Sequence, residues 1–172
     1  MAGFVKLNDV TVWKASYHGP APRLRGVHIL LIEPLKCSLQ QSRSFDTFDS
    51  TSAAINLSTY LHQVNSGRII VGVTADEPTT NLARALPALR QLGVDVSDVQ
   101  YRGAFVFVAE KGSPTKTVLR KTKTDSATYH ARLSATITGN GIYASYSLMR
   151  IATNDKRKER KGTIAMITTQ ET

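Results

Sequence analysis

Two adjacent carboxylates, Asp76 and Glu77, follow the apolar run 68–74 (RIIVGVT) and precede Pro78 and two threonines. Such a pair at a strand end can act as general acid and base, bind a metal, cap the next helix, or accept protons from ligand hydroxyls. Other chemistry-bearing residues narrow the choice. The chain has no G-x-S-x-G elbow, no G-x-x-x-x-G-K-[ST] loop and no H-E-x-x-H pair. Gly139-Asn140-Gly141 lacks the third glycine of a dinucleotide fingerprint and fits a hairpin turn. His18, His28, His62 and His130 have no metal-ligand spacing. Cys37 is the only cysteine, so an intrachain disulfide or thiolate cluster is excluded, and it fits a small core hydrophobe. Neither catalysis, nor a metal, nor a cofactor is expected. Asn56-Leu57-Ser58 is a glycosylation sequon inside a helical pattern.

Two arginines stand in positions comparable to that of Asp76. Arg25 opens the apolar run RGVHILLIEP, and Arg102 precedes the run AFVFVAEKG. Strands of one sheet gather their ends on a common rim, so these three side chains can converge. Two guanidiniums and one carboxylate form a planar set of donors and acceptors that suits vicinal hydroxyls and an amide carbonyl. The same three residues would equally serve as a salt bridge tying strand ends together.

The elements that must hold them are legible in the hydrophobic pattern. Residues 7–17 alternate as a strand, HGPAP breaks it, and 25–34 is a nearly continuous apolar strand covered on both faces. RSFDTFD, 43–49, is a short extended piece. A helix follows, capped by Asp49 or Ser50, with Ala54, Leu57, Leu61 and Val64 on its buried face and Asn-Ser-Gly stopping it. After strand 68–74, Thr79 or Thr80 caps a second helix with Leu82, Leu86 and Leu89 inward and Gly93 as terminator. Pro87 lies within that helix, where it costs about 3 kcal/mol, so a kink or a shorter helix is expected. Residues 104–112 are a third buried strand. Residues 128–137, 142–152 and 163–168 form a meander of three strands.

At 172 residues the chain suits one domain, 1–172, with a real core. No apolar run reaches membrane-spanning length, and no signal peptide is visible. Extracellular placement by non-classical export or as a processed form is favoured, with the cytoplasm as the alternative. The net charge of +9 is lopsided: residues 1–110 carry ten Lys/Arg against nine Asp/Glu, and residues 111–172 carry twelve against four. A basic third can face a polyanion. Yet DKRKERK, 155–161, and Arg120-Lys121-Thr122-Lys123 have no interleaved aromatics and fit solvated hairpin loops, which disfavours nucleic acid.

RGVHILLIEP, FDTF, GRIIVGVTADEPTTNLARALPALRQLG and YRGAFVFVAEKG, in this order over about 10–112, resemble the ILEI/PANDER-like domain. That domain occurs in the interleukin-like EMT inducer and pancreatic-derived factor cytokines, in the stem of protein O-linked-mannose β-1,2-N-acetylglucosaminyltransferase, and in hyaluronan-related surface proteins. The resemblance implies an α+β fold of two facing, mostly antiparallel β-sheets with two or three helices. Residues 113–172 have no counterpart and would add a C-terminal β-meander. In the transferase stem the domain is not catalytic and binds N-acetylglucosamine-bearing glycans. The positions matching its sugar contacts hold Arg25, Asp76 and Arg102, and Tyr101 is placed to stack on an apolar sugar face. Glu77 is expected to face solvent.

The resulting expectation is a lectin for glycans bearing N-acetylhexosamine, assembled as a dimer or tetramer. The alternatives are a cytokine-like ligand for a receptor protein and a polyanion binder. Polyanion binding would fall steeply with salt, and that dependence would disappear on neutralising Lys156, Arg157 and Lys158, as a salt series on immobilised heparin would show.

Overall fold

The computed structural model describes residues 4–7, 10–14, 25–34, 36, 38–122, 132–138, 141–143 and 164–169. Among these residues there are two five-stranded sheets and two α-helices, a mixed α+β architecture. The strands are β1 (Phe4–Leu7), β2 (Val10–Lys14), β3 (Gly26–Glu33), β4 (Ser38–Phe45), β5 (Ile69–Ala75), β6 (Phe105–Glu110), β7 (Ser113–Lys121), β8 (Arg132–Thr138), β9 (Gly141–Tyr143) and β10 (Ile164–Thr169). Helix α1 spans Thr51–Gln63 and α2 spans Leu86–Gln91.

One sheet runs β4-β3-β5-β6-β7 and is antiparallel throughout. Its three middle strands are the apolar runs of the sequence. They look continuous because both faces are covered, and each strand still alternates between two cores. Val27, Ile29, Ile70, Phe105 and Phe107 pack with α1 and α2, whereas Leu30, Ile32, Val71, Val73, Val106 and Val108 pack with Val5 and Leu7 of β1. Gly72 lies opposite Phe107 and leaves room for its ring, since a Cβ there would come within 2.0 Å of Phe107 Cε1.

Helix α1 starts where Ser50 accepts the Ala53 N–H at 3.2 Å, and it buries Ala54, Leu57, Tyr60 and Leu61. The second helix departs from its pattern. A 3₁₀ turn, Leu82–Ala85, comes first, and α2 begins at Leu86. Pro87 therefore falls in the first turn of α2, where a missing N–H breaks no intrahelical bond. Neither Thr79 nor Thr80 caps this helix; both turn to Glu77, as described below.

The other sheet runs β2-β1-β10-β8-β9. β8 and β9 are antiparallel, with Thr138 opposite Gly141. The meander is corrected at its last strand. β10 lies between β1 and β8 and is parallel to both. Parts of the expected strand 142–152 and the loop 154–162 lie outside the described residues. Arg120 and Lys121 belong to β7 and not to a loop. No described helix is long and apolar enough to cross a membrane.

His28 sits mid-β3, fully buried. Its Nδ1 is 2.8 Å from Ser44 Oγ, and the Trp13 ring lies 4.8 Å away, centroid to centroid. Its Nε2 has no hydrogen-bond partner among the described residues. Burial pushes the pKa down to about 4. The folded protein therefore keeps His28 neutral, while the unfolded chain takes up a proton near pH 6.5. The stability this provides is complete above pH 6.5 and is lost as pH falls toward 4, a change of roughly 3 kcal/mol. Urea unfolding between pH 7 and pH 4 should show that loss, and His28→Leu should flatten it.

Candidate functional site

The rim forms where β3 begins and β5 ends. Gly26 pairs with Ala75, which sets Arg25 and Asp76 side by side just beyond the ladder. On the other side, regular β5–β6 pairing stops at Val73 and Val106. Thr74 then substitutes its hydroxyl for a backbone group, accepting the Phe105 N–H and donating to the Phe105 carbonyl, both at 3.0 Å. The two chains separate beyond that point, and the opening is filled by residues 76–80 and 100–103.

Each arginine is followed by a glycine that permits a close backbone approach. Gly26 has φ +84°, and a Cβ on it would sit 2.2 Å from the Phe45 carbonyl oxygen. The turn 46–49 therefore wraps tightly past β3 and carries Asp46 to Arg25. A Cβ on Gly103 would meet Val99 Cγ1 at 2.6 Å and the Thr122 carbonyl oxygen at 2.8 Å.

Arg25 is held on three sides. Its Nε and Nη2 donate to Asp46 Oδ2 at 3.1 and 2.8 Å, Asp49 lies 3.6 Å away, and the guanidinium rests 4.6 Å above the Phe48 ring. The hydrogen bond to Asp46 raises its pKa further above the usual arginine value, with the charges of Asp46, Asp49 and Asp76 adding to it. Thr47, buried between these residues, donates its hydroxyl to the Pro78 carbonyl at 2.7 Å, and its carbonyl accepts the Asn81 N–H at 2.9 Å. The FDTF segment is thus a clip. Phe45 goes to the core, Asp46 and Phe48 hold Arg25, and Thr47 ties the turn to the segment after β5.

Asp76 and Arg102 both have left-handed backbones, with φ +56° and +59°. Aspartate tolerates that region better than most residues, whereas arginine pays the full cost of order 1–2 kcal/mol. The reversal at Asp76 sends the two carboxylates in opposite directions. Asp76 points outward, its side chain 27% exposed, and accepts from Arg102 Nη2 at 3.4 Å. Glu77 points inward and is 2% exposed. The expected solvent-facing role of Glu77 is therefore overturned. Its Oε1 accepts the N–H of Thr79 at 2.6 Å, the Thr79 hydroxyl at 2.5 Å and the N–H of Thr80 at 3.0 Å, and its Oε2 accepts the Arg102 N–H. The left-handed turn at Arg102 is what aims that N–H at Glu77.

Of the four residues singled out from sequence, Asp76 and Arg102 touch. Tyr101 is 61% exposed beside them. Arg25 neighbours Asp76 across the β3–β5 ends but spends its hydrogen bonds on Asp46. Sequence reasoning missed Asp46, Phe48 and Glu77 as parts of the rim. The signal for the first two was the FDTF motif itself. For Glu77 it was the pair of threonines two and three residues on, the spacing at which a carboxylate folds back onto its own backbone N–H groups. Chemically, the rim offers outward guanidinium donors, one carboxylate acceptor and an exposed aromatic ring. No group of three or more metal-ligating side chains is poised for a metal among the described residues.

Two substitutions separate support from surface. Glu77→Gln turns one acceptor oxygen into a donor facing other donors and should cost about 2–3 kcal/mol in urea unfolding. Arg102→Gly relieves the left-handed strain while loosening the unfolded chain, so its stability should stay within about 1 kcal/mol of the parent.

The family model described as interleukin-like EMT inducer matches residues 25–113. No curated protein matches the chain. The matched span starts at Arg25, ends one residue after the Lys111-Gly112 turn, and contains all the rim residues. It covers just over half of the chain and all of β3 through β6, so this protein belongs to the interleukin-like EMT inducer family.

Proposed function

We propose that the protein is a non-catalytic lectin for N-acetylhexosamine-bearing glycans of the N-acetylglucosamine type, and that the sugar sits on Asp76, Arg102, Arg25 and Tyr101. One observation carries the reading: two adjoining surface positions have backbones that favour glycine, yet hold Asp76 and Arg102, whose side chains meet outside. Strain kept at a surface for the sake of particular side chains is a mark of a functional site. Arg102 is 46% exposed on its side chain, so its guanidinium has donors left for a ligand. Asp76 supplies the acceptor for hydroxyls, and the Tyr101 ring offers a flat apolar face beside them.

A shallow rim of this kind binds one sugar weakly, so the lectin reading includes a dimer or tetramer that presents several rims at once. It also takes the two sheets as facing layers of a β-sandwich. Support for that comes from Val5 and Leu7, which share a buried cluster with the β3, β5 and β6 residues turned away from the helices.

A glycan array with purified protein tests this. Glycans ending in N-acetylglucosamine should be retained, and free N-acetylglucosamine should compete. Arg102→Gly and Asp76→Ala should each abolish retention while unfolding as cooperatively as the parent. Capture of a receptor protein in a manner insensitive to competing sugar would instead support the cytokine-like alternative.

A further inference from the structure

A groove of about 470 Å³ opens between edge strand β4 and helix α1, and its lining includes Asp46, the residue that holds Arg25. Arg43 and Asp46 line its strand wall, and Asn56, Thr59, Tyr60 and Gln63 line its helix wall. Its charges do not balance. Asp46 is already committed, with Oδ2 on Arg25 and Oδ1 accepting the Asp49 N–H at 3.1 Å. Arg43 has no carboxylate partner among the described residues. Burial raises the Tyr60 pKa above the usual tyrosine value, against the lowering effect of the Arg43 charge.

Arg43 is nevertheless held in place. Its guanidinium lies 4.7 Å from the Tyr60 ring centroid. With the Gln41 amide oriented to satisfy both neighbours, its oxygen accepts from Arg43 Nε and Nη2 at 3.1 and 3.2 Å while its nitrogen donates to the Tyr60 hydroxyl at 3.1 Å. Gln41 takes one N–H from each of Nε and Nη2. The Nη1–Nη2 end therefore keeps a parallel pair of N–H donors, the fork that a planar carboxylate fills with two bonds. Asn56, Thr59 and Gln63 follow one another along α1 at helical spacing and add amides and a hydroxyl alongside.

We infer that this groove is a second subsite, separate from the rim, that takes a carboxylate-bearing sugar such as a uronic acid, with Arg43 on the carboxylate and Asn56, Thr59 and Gln63 on the hydroxyls. The requirement for an anion rests on the groove alone. The choice of a saccharide rests on the lectin reading of the rim. Because Asp46 adjoins both places, one acidic oligosaccharide can lie across them.

The test is NMR titration of the full chain with sodium glucuronate and, separately, with N-acetylglucosamine. Glucuronate should shift the resonances of Arg43, Asn56, Thr59 and Gln63, and Arg43→Gln should weaken that response about five- to tenfold. Arg43 is exposed on an edge strand, so this variant should fold like the parent. If N-acetylglucosamine leaves the rim unmoved while glucuronate shifts the groove, the rim reading falls and the groove stands. An unmoved groove under glucuronate, or an equal response in Arg43→Gln, overturns the subsite. Tighter occupation of the groove by an acidic peptide than by glucuronate overturns its assignment to a sugar.

Discussion

A buried carboxylate is tolerated only where enough N–H and O–H dipoles converge on it, and the strand-end rim is organised around meeting that requirement at Glu77. The donors come from two places, the turn at Thr79–Thr80 and the backbone of Arg102. Supplying them forces the segment after β5 and the segment before β6 into contact. It also accounts for both left-handed residues: Asp76 reverses the chain so that Glu77 can enter, and Arg102 turns its amide inward. The outward Asp76–Arg102 pair follows from the inward bond. A single buried acceptor thus places the exposed pair.

Arg25-Gly26 and Arg102-Gly103 apply one local solution twice. In each, the glycine removes the Cβ that would strike a crossing backbone, and the preceding arginine is left at the point where the two chains meet. The outcomes differ in charge balance. Arg25 is surrounded by Asp46, Asp49 and Phe48, which fixes it as a rigid wall of the rim. Arg102 has one partner at 3.4 Å and greater exposure, and it is the more adjustable of the two. Under the proposed lectin reading, one fixed and one adjustable guanidinium would keep the site's shape while fitting slightly different hydroxyl patterns.

Much of this was legible in the sequence, for identifiable reasons. The strands 25–34, 68–74 and 104–112 are sandwiched between two cores, so their apolar runs are unmistakable. β7 was not, because an edge strand such as SPTKTVLRK is partly solvated and its composition matches that of a loop. Arg25, Asp76 and Arg102 could be placed on one rim from strand ends alone. Which of two neighbouring carboxylates faces out could not, because a left-handed residue between strand and turn decides it, and aspartate carries no glycine-like flag. The placement of β10 was also out of reach. Strand order depends on contacts between distant parts of the chain, and no local pattern distinguishes a parallel insertion from a meander.

The position of β10 bears on the order in which the protein is made. Phe4 is paired with Ile164, while β3 through β7 pair only with strands close to them in sequence. On the ribosome, the helix-covered sheet with its rim can close while the chain is still growing. β1, already paired with β2, then waits for its second neighbour until the segment carrying β10 emerges. During that interval the face formed by Leu30, Val71 and Val106 has β1 and β2 as its cover, through Val5, Leu7, Val12 and Trp13. The rim can therefore be complete before the second sheet has closed.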